Sequence, residues 1–304
     1  MAKLIDPIQL EIYRHLFTSI PEEMGTALKR TAYSPNIKER RDYSCAIFDA
    51  DGQLAAMGDH MPVHLGSMPL SVQAAISAHA LGPGDIVILN DPFCGGTHLP
   101  DITMIAPVYE PSDGFSKPVF YTATRAHHSD IGGPTPGGYN PEASEIFQEG
   151  LRIPPIRLSD RGVSRRDILH MLAVNVRHSE NFLGDLNAQI GSVEIAARRV
   201  RDLLGAYGPT RLARCVDEIL KATEVRVRQV ISSWPDGVFE GESLIDDDGF
   251  DAKMIPIRAR LTVEGGSMTI DLSESSPQVT GFVNSAYANT RSIAHATMMY
   301  LMPP

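Results

Sequence analysis

The chain has 304 residues, 43% hydrophobic and 21% charged, with a formal net charge of −10. This length supports a large core, expected in two subdomains, and the composition is that of a soluble globular protein. The acidic balance excludes a nucleic-acid binder built on a basic stripe. No apolar run reaches the roughly 20 residues that span a bilayer, so no membrane segment is expected. The start, MAKLIDPIQLEIYRHL, lacks the apolar region of a signal peptide. Cys45, Cys94 and Cys215 are odd in number and far apart, which fits free thiols in a reducing compartment, with the cytoplasm as the expected address.

Residues 7–33 carry apolar positions at helical spacing. Ser19, Pro21 and Glu22 read as a capping signal there, which predicts two helices or one kinked helix. SCAIFDADGQLAAMG (44–58) predicts a β-hairpin about Asp51-Gly52. Residues 67–80 return to helical periodicity. GDIVILND (84–91), DITMIAPVY (101–109) and PVFYTATRA (118–126) predict three strands. The Gly- and Pro-rich stretch GGPTPGGYNP (132–141) is a loop of the kind that carries function on a rigid scaffold.

Ser164–Ser233 is mainly helical, with Ser164 and Asp167 resembling an N-cap signal. NAQIGSVEIAARRVRDLLGAYG (187–208) and RLARCVDEILKATEVRVRQVISSW (211–234) predict two amphipathic helices, the first ending at Gly205 and Gly208. KMIPIRARLTVEGGSMTIDLSES (253–275) alternates about Gly265-Gly266 and predicts a second hairpin. The expected fold is mixed α/β or α+β, a central sheet with a site at its strand ends. Residues 1–160 form its metal-site region, 161–235 a helical region, and 236–304 a β-hairpin region with the start of a further helix. SAYANTRSIAHATMMYLMPP stops as an apolar helix delivers its face, so the chain is expected to be part of a longer protein.

The chemistry-bearing residues gather in three places. Asp42 precedes the first hairpin, GGTHLPDI carries His98 and Asp101, and ATRAHHSDIGG carries His127, His128 and Asp130. If the predicted strands are neighbours, these side chains share one edge of the sheet, a recurrent place for enzyme sites. Imidazole and carboxylate ligands without thiolate suit a catalytic divalent metal with open positions, which acidifies water and polarises a carbonyl. Spacing alone leaves two readings open, a shared metal and a set of ordinary loop hydrogen bonds. His127 and His128 are adjacent, so in a strand their rings face opposite sides; His127 is the favoured ligand. His60 and His64 have helical zinc spacing, but Pro62 between them removes the helix; they line the pocket or cap the next helix. Cys94 reads as a small loop residue, Asp246-Asp247-Asp248-Gly249 as a turn, and Arg198, Arg199 and Arg201 as a solvated helix face. Neither GxxxxGK[ST] nor GxGxxG occurs.

Seven long stretches, in order, resemble the hydantoinase B/oxoprolinase family. They are SIPEEMGTALKRTAYSPNIKERRDYSCAIFD, HMPVHLGSM, GDIVILNDPFCGGTHLPDITMIAPV, RAHHSDIGG, EIFQEGLRIPPIRL, GDLNAQI and DLSESSPQVTGFVN. The resemblance implies one subunit of a two-component, ATP-dependent enzyme. Its partner would be a hydantoinase A-type subunit that binds ATP and phosphorylates the substrate, in a hetero-oligomer. It implies a divalent metal (Zn, Mn, Fe or Co) on Asp42, His98, Asp101 and His127, with His128 as a possible replacement ligand. Asp130 or His128 would then orient a ligand or shuttle a proton. The implied reaction is hydrolysis of a cyclic amide such as a hydantoin or 5-oxoproline. Phosphorylating the lactam oxygen would overcome amide resonance by making that oxygen a leaving group. A carboxylase subunit of the acetone or acetophenone type is the enzymatic alternative. A non-catalytic scaffold for a kinase-type partner is the other.

Overall fold

The computed structural model describes residues 5–58, 60–110, 114 and 116–302. Met1–Leu4, where a signal segment would begin, lie outside the described residues. The first helix, α1, spans Pro7–Thr31, with the Asp6 side chain accepting the Ile8 N–H at 2.8 Å and Pro7 in its first turn. It runs on through Pro21 as one helix. The capping reading fails because Ser19 donates its hydroxyl to the Leu16 carbonyl inside the helix. Tyr13, Phe17, Ile20, Met24 and Leu28 form one buried stripe across the proline, and that packing outweighs the lost backbone bond.

After a single turn, α2 (Pro35–Lys38), the chain enters the hairpin β1 (Tyr43–Asp49) and β2 (Leu54–Met57). Helix α3 (Met68–Ala78) follows, then β3 (Ile86–Leu89), β4 (Asp101–Tyr109) and β5 (Pro118–His127). Two short strands, β6 (Ile156–Asp160) and β7 (Val163–Ser164), complete a seven-stranded sheet in the order β2-β1-β5-β4-β3-β6-β7. All its pairings are antiparallel.

The period-2 pleat divides this sheet into two faces. Tyr43, Cys45, Ile47, Ile102, Met104 and Phe120 face a helical layer of α1, α5 (Ser179–Tyr207) and α6 (Pro209–Ile231). Ala46, Phe48, Val87, Leu89 and Ile105 face α3 through Met68, Val72 and Ala75. A sheet covered on both faces reads as unbroken apolar runs, which is how β3 and β4 read.

Helix α4 (Arg166–Val174) begins without the Ser164 cap, and Asp167 instead pairs with Arg165 at 2.6 Å. Helix α5 starts at Ser179, earlier than the apolar pattern from Asn187 indicated. The second sheet has three strands, β8 (Gly237–Ile245), β9 (Ile255–Glu264) and β10 (Ser267–Asp271), in the order β10-β9-β8. The β9–β10 hairpin matches the alternation about Gly265-Gly266; β8 has no counterpart in the sequence reading. Helix α7 (Tyr287–Leu301) closes the described chain. Among the described residues no helix is long and apolar enough to cross a membrane.

Candidate metal centre

Three neighbouring strands present their polar residues at one end of the α3 face. The register sets Asp101 of β4 opposite His127 of β5, Thr103 opposite Arg125, and Ser44 of β1 opposite Arg125 on its other side. Asp42 lies just before β1, where its carbonyl accepts the His127 N–H at 3.0 Å. His98 comes from the loop entering β4. His98 Nε2 lies 3.0 Å from Asp101 Oδ1, and His127 Nδ1 lies 3.2 Å from each of those two atoms. The nearer Asp42 oxygen is 3.9 Å from His127 Nδ1. Two imidazole nitrogens and a carboxylate oxygen thus converge within 4.8 Å of one another.

This donor set fits a divalent ion. Donors about 2.1 Å from one ion and at right angles lie about 3.0 Å apart, close to the separations here, and two His with one carboxylate is a recurrent open-sided ligand set. Asp42, 3.9 Å from His127 Nδ1, is near enough to add a fourth donor.

Asp101 is almost wholly buried, and its other oxygen is fully engaged. Oδ2 accepts the Thr97 hydroxyl and faces His64 Nε2 at 3.2 Å, while His64 Nδ1 sits 3.0 Å from Ser44 Oγ. Burial alone would raise the Asp101 carboxyl; His98, His64 and His127 override it and hold it well below the usual range. Burial pulls His98 down, but Asp101 outweighs that and raises it. Asp101 therefore stays a carboxylate with one oxygen anchored and the other aimed at the two ligand nitrogens.

The loop carrying Thr97 and His98 is fixed from below. Arg125, fully buried, donates to Thr103, Ser67 and Ser71 hydroxyls and to the Gly95 carbonyl. Burial lowers its pKa to about 10, with Asp101 opposing, so it remains a cation. Gly95 has φ +91, and a Cβ there would lie 2.3 Å from the Ser71 nitrogen. Asn90 donates to Leu99 and Leu151 carbonyls and accepts from Ile153 N–H, which closes the loop against the rest of the sheet.

His128 points to the opposite face. Gln189 spends its amide NH2 on the Ile102 carbonyl and Thr124, so its oxygen accepts from His128 Nε2–H at 2.9 Å. Burial lowers the His128 pKa, and its Nδ1 is buried with no hydrogen-bond partner among the described residues. Asp130 is held by Arg177, whose guanidinium lies 3.0 Å from Oδ1 and whose N–H donates to Oδ2. The structure does not bring these two residues into the cluster.

Two residues touch Asp101 that the sequence did not connect to it, His64, expected to line the pocket or cap a helix, and Thr97. Pro62 removes the helix but builds the 3-10 turn Pro62–His64, which swings His64 inward to Asp101. The spacing of His60 and His64 carries no sign of this, because the link is to a residue far along the chain. Thr97 has no motif of its own. His60 lies elsewhere, its ring 4.8 Å from that of Tyr43. A cavity of about 290 Å³ opens on Thr97 and His98, walled by Tyr139 and Asn140 of the Gly- and Pro-rich loop and by Phe282. The lesser candidates are structural. Burial raises the Cys94 thiol, Asp248 accepts from the Phe250, Asp251 and Gly281 N–H groups, and Arg199 pairs with Glu23 at 2.8 Å.

The family model described as Hydantoinase B/oxoprolinase matches residues 6–304. The chain belongs to the hydantoinase B/oxoprolinase family. It is 34% identical over 304 residues to the caprolactamase subunit beta of Pseudomonas jessenii, covering 99% of this chain and 52% of that protein. It is 34% identical over 305 residues to the 5-oxoprolinase of Saccharomyces cerevisiae, covering 95% of this chain and 23% of that protein. The chain thus spans about half, or less, of the length of these relatives. The crystal structure of the ATP-dependent caprolactamase from Pseudomonas jessenii superposes with a TM-score of 0.91 at 33% identity, over 99% of this chain and 52% of that one. A nucleotide-free acetone carboxylase shares the fold, with a TM-score of 0.86 at 17% identity over 94% of this chain and 40% of that one.

Proposed function

We propose that this family member is the metal-holding part of an ATP-dependent lactam hydrolase, acting on a cyclic amide that a hydantoinase A-type subunit phosphorylates. The observation that carries this reading is the convergence of His98 Nε2, His127 Nδ1 and Asp101 Oδ1 at the edge of a cavity. The names of the relatives support the substrate class, since caprolactam and 5-oxoproline are both cyclic amides. The name "subunit beta" supports a partner, and the crystallised caprolactamase is an ATP-dependent enzyme, which supports the use of ATP.

His98, His127 and Asp101 hold the ion, and Asp42 completes the set. A divalent ion bound there would supply acidified water and an electrophilic pull on the reacting carbonyl. His64 and Thr97 keep Asp101 ionised and oriented throughout. Tyr139 and Phe282 wall the substrate from bulk water. In the reaction one water adds to the carbonyl carbon, the ring C–N bond breaks and the nitrogen takes a proton; a second water then frees the carboxylate from phosphate. His128 and Asp130 secure the end of β5 through Gln189 and Arg177 rather than touching the substrate.

Elemental analysis of the purified chain tests the site. Stoichiometric zinc, manganese, iron or cobalt is expected, and its loss in Asp101→Ala. Absence of metal in both proteins defeats the reading. The reaction is tested by combining the chain with an A-type subunit, ATP and a lactam. Release of the ring-opened amino acid is expected; carboxylated product from a ketone and bicarbonate, without lactam opening, moves the chain to the carboxylase branch.

A further inference from the structure

A second concave site lies where α1 meets the loop from α2 to β1, and nothing in the metal cluster uses it. It is an open pocket of about 740 Å³ lined by Lys29, Arg30, Lys38, Arg40 and Arg41. Only two carboxylates, Glu22 and Glu39, share its lining. Among the described residues none of these five cations forms an ion pair. Many arginines elsewhere are paired: Arg152, Arg157, Arg177, Arg199, Arg258 and Arg260 each lie against an acid. On a chain of net charge −10, five unpaired cations in one hollow are a local reversal of sign.

The lining also carries neutral donors. Tyr43 and Thr26 bring two hydroxyl-bearing side chains to it. Arg41 takes the left-handed backbone conformation, φ 58, and its carbonyl accepts the Tyr43 N–H. Asp42 sits between Arg41 and Tyr43, both of which line the pocket, while its own carboxylate lies 3.9 Å from His127 Nδ1. Asp42 therefore links the two sites along the chain, although its carboxylate is not part of the pocket lining.

We propose that this pocket binds a phosphoryl dianion, carried on the activated substrate or released as inorganic phosphate. Guanidinium forks match three acceptor oxygens at once, and a concave site with hydroxyls in its lining suits a compact anion better than a flat acidic protein surface. The source of the phosphoryl group rests on the proposed function; the binding site itself does not.

Inorganic phosphate titrated into the full chain at constant ionic strength, with chloride as the control, tests it by calorimetry. Saturable binding is expected, weakened at least about tenfold in the Arg40→Gln/Arg41→Gln double variant. It should be unchanged in Arg201→Gln, on the exposed side of α5, and in Asp101→Ala. Circular dichroism and metal content of the double variant should equal those of the parent. Binding no stronger than chloride, or unaffected by the double variant, overturns the proposal. So does binding that survives the double variant but disappears in Asp101→Ala, which would put phosphate on the metal. With partner, ATP and lactam present, a raised KM in the double variant identifies substrate-borne phosphoryl, and loss of product inhibition by phosphate at unchanged KM identifies the free ion. A chain without metal that still gives the phosphate isotherm defeats the proposed function and leaves this site standing.

Discussion

Each of the two sheets of this protein contains a nine-residue strand, β4 in one and β8 in the other, and the two treat their side chains in opposite ways. Every residue of β4 is buried, whereas nearly every residue of β8 is exposed or half-exposed, and Val238, Phe239 and Leu244 meet solvent. The large sheet is covered by α1 and α5 on one side and α3 on the other, so a polar residue on it must find a partner or be excluded. It is there that Asp101, Thr103, Arg125 and His127 stand, each with its partners supplied. The small sheet makes no such demand, and its charged residues pair across strands at the exposed surface, as Arg258 does with Glu242 and Arg260 with Glu240. Accurate aiming of a side chain needs the dense surroundings that only the first sheet has.

Substitutions can break or sharpen this contrast. The largest effect is expected for Asp101→Ala, which should remove bound metal altogether; inductively coupled plasma mass spectrometry reads this directly. Phe48→Ala in the covered sheet should cost about 3–5 kcal/mol in urea unfolding, through the cavity it leaves beneath α3. His64→Ala should weaken metal affinity by roughly 10- to 100-fold in a chelator competition, because Asp101 loses an orienting partner. A full retention of affinity in that variant would show that Thr97 alone suffices. The smallest effect belongs to the other sheet: Phe239→Ala should change unfolding stability by no more than about 0.5 kcal/mol. A loss comparable to that of Phe48→Ala would mean that both sheets carry the fold equally and would end the comparison.

What was readable in the sequence follows the same division. The strands of the covered sheet announce themselves as apolar runs, and the first hairpin as alternation about Asp51-Gly52. The loop histidine and carboxylate that precede and begin β4 could be connected to His127 because strand ends place such residues together. His64 could not, since its partner is fixed by a turn that a proline forms rather than by any period. Strands β6 and β7 are too short to leave a pattern. Strand β8 carries glycine and acids at the positions where a buried face would require apolar residues. In α1 the error was local: proline, serine and glutamate in sequence mimic a helix start, and only the buried stripe on both sides of them reveals one helix. The family resemblance narrowed the candidate ligands, and it alone suggested the partner, which spacing could not supply.

One contact joins the far end of the chain to the centre of the site. Ser292 of α7 donates its hydroxyl to the Val63 carbonyl and accepts the Gly66 N–H at 3.0 Å. The backbones approach so closely that a Cβ on Gly66 would lie 2.6 Å from Ser292 Cα. Between those two anchoring points lies His64, the residue that steadies Asp101. Helix α7 is thus pinned to the turn like a bolt through a bracket, and a load applied along its outer face is borne by the same few atoms that set the direction of a metal-facing carboxylate.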